Sequence, residues 1–164
     1  MYPQSAAFFG ALGAVSSVVF ANMGSSYGAA KAGVGVTYLG IKTPEKIMRG
    51  IVPVIMAGIL GIYGLIIAVI INNNIKTELN SYSLYSGYLH LGAGLAAGLS
   101  SLGAGFAIGV VGDTAARSYG KQDKIFVAMV LMLIFSEALG LYGLIIALLM
   151  SNKASRYTDL CASA

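Results

Sequence analysis

Four stretches of this chain are long enough to cross a bilayer and almost free of charge. Between Arg49 and Lys76, between Glu78 and Asp113, and between Lys124 and Lys153, the only Asp, Glu, Lys or Arg is Glu137, and the only histidine is His90. A fourth apolar run leads up to Lys31. A membrane-spanning helix needs about 20 predominantly apolar residues, and each run supplies one. The chain is 57% hydrophobic and 10% charged, whereas soluble domains carry about 25% charged residues. It cannot cover a water-soluble globule, and it is too apolar to stay disordered. The expected fold class is an all-α integral membrane protein with four transmembrane helices.

The formal charge of +4 does not indicate a nucleic-acid partner. The basic residues sit in short loops, without the stripe or patch that such a surface needs. A cleaved signal peptide is not expected, since nothing basic precedes the first apolar run and that run is too long for an h-region. Cys161 is the only cysteine, so no internal disulfide framework exists, and no role is assigned to it.

The chain repeats itself. Residues 60–68 read LGIYGLIIA and residues 139–147 read LGLYGLIIA, differing only at Ile62 against Leu141. Upstream, small residues keep a second register: Ser17, Ala21, Gly24, Gly28, Ala32 and Gly35 match Gly94, Gly98, Ser101, Gly105, Gly109 and Gly112. A self-similar period marks a repeated structural unit. Here the unit is a helical hairpin, present in parallel orientation as repeats 1–78 and 79–164. Helices are expected at about 6–40, 47–72, 84–117 and 125–151. Pro44 breaks the chain in the first loop, and Pro53 is expected to bend the second helix, as membrane helices tolerate.

The segments GAGLAAG and GAGFAIG resemble phosphate-cradling loops only superficially. Neither follows a predicted strand or carries the Lys-Ser/Thr of a P-loop. On a helix, positions alternately four and three apart fall on one face, and small residues there let backbones approach closely in lipid. Gly24, Gly28, Gly35, Gly94, Gly98, Gly105, Gly109 and Gly112 are therefore read as packing residues. A stripe of this length in both repeats suits a tight inner ring of helices, with the bulkier second and fourth helices outside.

Basic residues in short loops mark the cytosolic side. The two intra-repeat loops and their flanks hold Lys31, Lys42, Lys46, Arg49, Arg117, Lys121 and Lys124, and the opposite side holds Lys76, Lys153 and Arg156. The bias places both hairpin loops in the cytosol and both termini on the other side.

Glu137 matches Gly58 in the repeat register, so only the second copy carries an acid. A charge at the bilayer centre costs roughly 2.5–3.5 kcal/mol on insertion scales, and intramembrane acids are functional by default. The alternative is a buried glutamate hydrogen-bonded to hold helices together. Helices two and four contain no Lys, Arg or His opposite Glu137 to pair with it. An unpaired acid in an apolar setting keeps its proton, crosses as a neutral group, and ionises where water or a cation is offered.

The duplicated hairpin, the FFGALGA start, GAAKAGVGV, AIGVVGD and IFSEALGLYGLIIALLM together resemble the proteolipid (c) subunits of eukaryotic vacuolar-type proton-ATPases over nearly the whole chain. The resemblance implies a ring of such subunits, formed with other copies and related proteolipids, that rotates when ATP hydrolysis on the cytosolic side turns a central stalk. It implies that Glu137 takes a proton from one half-channel of a stator subunit and releases it into another, with an essential arginine supplied by that stator. It also implies a vacuolar or other acidic endomembrane, or the plasma membrane. No cofactor or metal is expected, and the chain is not an enzyme by itself. Sodium-carrying relatives place a hydroxyl and an amide just before the GLYG-like segment of the second helix, where this chain has Ile59 and Leu60. Gln4 and Gln122 fall outside the membrane, which favours protons. Tyr63 matches a tyrosine that reaches the ion-site carboxylate in those relatives; hydrogen bonding to Glu137 and plain packing, as for its counterpart Tyr142, both stay open.

His90 is read as an interfacial side chain at the non-cytosolic end of the third helix. A four-helix drug/proton antiporter also works with one membrane glutamate, but it does not share the parallel duplication with the acid in the last helix. A passive pore or scaffold would explain the glycines and not the lone acid.

Overall fold

In the computed structural model, the described residues are 5–75 and 82–162, with side chains described as far as Arg156. Gln4, Lys76 and Glu78 lie outside them, as do the side chains of Asp159 and Cys161. Helix α1 spans Ser5–Lys42. A 3-10 turn at Pro44–Lys46 and a single-turn helix α2, Ile47–Gly50, lead into α3, Val52–Asn74. Helix α4 is Leu84–Tyr119, and α5 is Ile125–Ala162. Four of these segments are long and apolar enough to cross a membrane, so the chain is an all-helical, multi-pass membrane protein.

Two of the helix boundaries differ from the sequence reading. Pro53 does not bend the middle of a helix. The chain turns at Ile51, and Pro53 occupies the first turn of α3, where a missing N–H removes no helix hydrogen bond. Helix α5 continues past residue 151 through Lys153 and Arg156, because nothing between Ile125 and Ala162 breaks a helix. At the start of α4, the Ser83 hydroxyl accepts a 3.1 Å hydrogen bond from the Ser86 amide, a side-chain cap.

The most extensive contact is between α1 and α4. Glycine permits it: a Cβ on Gly28 would lie 2.8 Å from the Gly105 carbonyl oxygen, and one on Gly35 would lie 2.6 Å from that of Asp113. The two small stripes thus meet each other inside one chain. Helices α3 and α5 pack on α4 and on each other, while α3 also packs on α1. Between α3, α4 and α5 lie two apolar clusters, one built around Leu60, Ile108, Met129 and Leu133, the other around Ile67, Ile71 and Ala147. Apolar burial drives no helix association in lipid, so packing and interhelical hydrogen bonds do. Ser17 Oγ donates to the Gly64 carbonyl at 3.0 Å, Ser86 Oγ to that of Ala154 at 3.1 Å, and Asn74 Nδ2 to Ser151 Oγ at 3.2 Å. The outer faces of α3 and α5 expose Ile55, Leu65, Phe135, Tyr142 and Leu149, side chains suited to acyl chains.

Candidate functional site

Glu137 lies in α5 one turn beyond buried Leu133, on the edge of the face that packs on α3 and α4. It is half-buried. Gly140, one turn further on, is what brings α3 close: a Cβ there would stand 2.7 Å from Leu60 Cδ2 and 3.4 Å from the Ala104 Cβ. With Leu60 seated against Gly140, Tyr63 stands one turn up α3, and its hydroxyl donates a 3.2 Å hydrogen bond to Glu137 Oε1. The second oxygen, Oε2, is buried and has no hydrogen-bond partner among the described residues. The ion pairs among them join Lys31 and Arg117 to Asp113 and Lys46 to Asp123, and none reaches Glu137.

Neither Ile59, Leu60 nor Ser136 supplies a further side-chain oxygen to the carboxyl. Leu60 is fully buried and Ile59 is half-buried, and the hydroxyl of Ser136 is occupied by the Met132 carbonyl at 2.9 Å. The arrangement is one carboxyl, one phenol and an apolar wall. A protonated carboxyl there accepts the phenol hydrogen bond at Oε1 and keeps its own proton on Oε2, whereas a carboxylate finds no cation among the described residues.

The first repeat has a different surface at the matching place. Gly58 is exposed, and a Cβ on it would meet nothing within 4 Å. Tyr142, the counterpart of Tyr63, is 60% exposed, so the two tyrosines do not share an environment.

The packing glycines Gly24, Gly28, Gly35, Gly94, Gly98, Gly105 and Gly109 are buried where α1 meets α4. Gly112 also faces α3: a Cβ there would come 2.6 Å from the Pro53 Cβ and 2.9 Å from the Ala32 Cβ. They line the backbone contact and lie apart from the carboxyl.

His90 does not present its ring to the surroundings of the chain. It is fully buried, with Nδ1 sharing a 2.5 Å hydrogen bond with the Tyr82 hydroxyl and the two rings stacked at 5.7 Å. Its Nε2 has no partner among the described residues. Burial pushes the Tyr82 phenol up to about 12. Tyr82, just before α4, covers a histidine that helix position alone would leave at the surface.

Asn22 carries no motif, yet its Oδ1 lies against Gly61 of α3, 2.8 Å from where a Cβ would be. An amide inside an apolar run was the available signal.

A model of the ATP synthase C-subunit family matches the chain twice, over residues 12–71 and 91–150. The chain is 50% identical over 153 residues to the 16 kDa proteolipid c subunit of the V-type proton ATPase of Nephrops norvegicus, covering 93% of this chain and 96% of that one. The Homo sapiens protein of the same name is 51% identical over 151 residues, or 92% and 96% of the two chains. The c subunit of the Candida tropicalis V-type proton ATPase is 47% identical over 154 residues, 94% of each.

Proposed function

The chain belongs to the proteolipid c subunits of V-type proton ATPases, and on that premise we propose that Glu137 is the group that carries the proton. The subunit is proton-translocating and not catalytic by itself; ATP is hydrolysed elsewhere in the assembly. The observation that carries the reading is the half-buried Glu137 carboxyl, bound by one phenol and without a cation among the described residues.

Neutral, the acid moves through an apolar surrounding without the cost of a buried charge. It loses its proton only where a cation is brought to it, and the family resemblance implies that this cation is an arginine on a stator membrane subunit. Copies of the chain, with related proteolipids, form a ring turned by central-stalk subunits on the cytosolic side. Both hairpin loops face the cytosol and both termini the opposite side, in a vacuolar or other acidic endomembrane or in the plasma membrane. The hairpins 1–78 and 79–164 derive from one duplicated unit in which the first copy holds Gly58 where the second holds Glu137. One acid per four helices moves fewer protons per turn than one per two in a ring of equal helix number, leaving more free energy for each proton. Moving a charge against 100 mV takes about 2.3 kcal/mol, so this arrangement favours steep gradients.

Glu137→Gln tests the reading. Glutamine keeps the size and polarity of the protonated acid and has no proton to release. Membranes carrying only this variant should contain the assembled protein and show no ATP-driven acidification; substantial pumping would remove Glu137 from the carrier role.

A further inference from the structure

The hairpin-loop ends of α1 and α4 enclose a basic pocket that the proton-carrying role does not use. A cleft of about 150 Å³ is lined by Tyr38, Lys42, Thr43, Arg117 and Lys121, and a second of about 170 Å³ shares Tyr38, Arg117 and Lys121 with it. The Tyr38 ring organises the cations, with Lys42 Nζ at 5.4 Å and the Arg117 guanidinium at 5.0 Å from its centroid.

The charges here do not cancel. Asp113 is the acid closest at hand, and it is already held by Arg117 Nε at 2.8 Å and by Lys31 at 3.4 Å. Asp123 is engaged by Lys46 at 2.6 Å. Among the described residues, no carboxylate forms an ion pair with Lys42 or Lys121, and none meets the terminal nitrogens of Arg117. A planar guanidinium fixed at one nitrogen presents its remaining donors in a fork that suits phosphate oxygens.

What lies beside the pocket decides between a dissolved anion and a lipid. Along the same faces, toward the membrane interior, α1 exposes Val34 and Tyr27, and α4 exposes Val110 and Phe106. The Tyr27 and Phe106 rings meet across the seam, tilted by 52° with centroids 4.5 Å apart. At 1.5 Å per helical residue, Val110 and Phe106 lie roughly 10 and 16 Å below Arg117, the depth of acyl chains under a headgroup. A free phosphate or an acidic peptide has no use for that apolar strip.

We propose that the pocket formed by Tyr38, Lys42, Arg117 and Lys121 binds the phosphate monoester headgroup of an anionic lipid whose acyl chains lie along the α1–α4 seam. Basic pockets between transmembrane helices near the membrane surface suit such headgroups. The small cleft favours a bare phosphate over a bulkier headgroup.

The test uses the full chain in detergent, titrated with dioleoyl phosphatidic acid, dioleoyl phosphatidylcholine or glycerol 3-phosphate and read by native mass spectrometry. Phosphatidic acid should be retained in preference to phosphatidylcholine, and glycerol 3-phosphate should neither bind nor compete at equal concentration. Lys42→Gln with Lys121→Gln should cut that preference about tenfold or more, while Lys124→Gln with Lys153→Gln, outside the pocket, should leave it intact. Equal loss in both double variants would mean a diffuse charge effect and overturn the site. Binding of glycerol 3-phosphate as tight as that of the lipid would make it a soluble-anion site. Displacement of the lipid by an oligoglutamate peptide would make it a protein-docking surface; either result ends the lipid assignment.

Discussion

Tyr63 on α3 donates a 3.2 Å hydrogen bond to Oε1 of Glu137 on α5, across a contact that exists because Gly140 has no side chain to hold Leu60 away. The phenol supports one oxygen and leaves the other, Oε2, without a partner among the described residues. Such a carboxyl is oriented without being neutralised, which is what a reversible carrier requires: a fixed cation would hold the charged form permanently.

Tyr63→Phe should therefore slow ATP-driven proton transport without abolishing it. It deletes the hydroxyl and keeps the ring that packs in the α3–α4–α5 cluster. A net hydrogen bond of about 0.5–1.5 kcal/mol corresponds to a roughly two- to tenfold effect. Tyr142→Phe, at the exposed counterpart, should change nothing. Equal rates for wild type and Tyr63→Phe would leave Tyr63 with packing alone.

A hydrophobic carbodiimide should label Glu137 in preference to the other acids. The reagent needs a protonated carboxyl in an apolar setting. Glu45 and Asp123 are exposed, and Asp113 is paired with Lys31 and Arg117. Labelling should weaken as pH rises, because each carboxyl that ionises leaves the reactive pool. Peptide mapping that located the label mainly on a loop acid would contradict the assignment.

The fold class was legible because four charge-free runs admit few alternatives, and Glu137 stood out as the single carboxyl within them. What each side chain touches was less legible. The spacing of Gly28 and Gly105 says that a backbone comes close, and the same spacing would serve a contact between chains or within one; here the two stripes meet each other inside the chain. His90 has the position of a helix-end residue, and its burial includes a contact from Tyr82, which precedes α4. Asn22 is hard to single out because an isolated amide has no pattern, and its neighbour Gly61 comes from another helix. The turn at Ile51 was hidden because Pro53 fits either a bend or a first turn.

Enlarging the buried stripe should harm the subunit itself. Gly28→Leu or Gly105→Leu forces a side chain into backbone of the opposite helix, since even a Cβ on Gly28 would lie 2.8 Å from a carbonyl oxygen. Overpacking costs about 1–3 kcal/mol, so both variants should lose thermal stability in detergent before assembly is considered. Gly33 and Gly103 are different: a Cβ at either meets nothing within 4 Å. Gly33→Leu and Gly103→Leu should leave the single chain as stable as wild type, and a fall in ring yield on native gels would place those open faces between neighbouring copies. Wild-type stability for Gly28→Leu and Gly105→Leu would refute the close α1–α4 contact.

Sodium should neither protect Glu137 from carbodiimide nor stimulate the ATPase. A sodium ion gives up its hydration only to several oxygen ligands at once, since a hard cation in an apolar wall is otherwise strongly unfavourable. Beside Glu137 the helix α3 offers Ile59 and Leu60, the Ser136 hydroxyl is engaged with its own backbone, and the Tyr63 phenol is a single ligand. Asn22, an amide in α1, lies with its Oδ1 against Gly61, and the hydrogen bond made to the Glu137 carboxyl among the described residues comes from Tyr63. A proton needs only the carboxyl. Labelling measured at fixed pH and ionic strength, with sodium replaced stepwise by a large organic cation, should stay constant. A drop that tracks sodium, together with sodium-stimulated ATP hydrolysis, would show a cation cage completed by main-chain carbonyls or water, and would make sodium the ion proposed to be carried at Glu137.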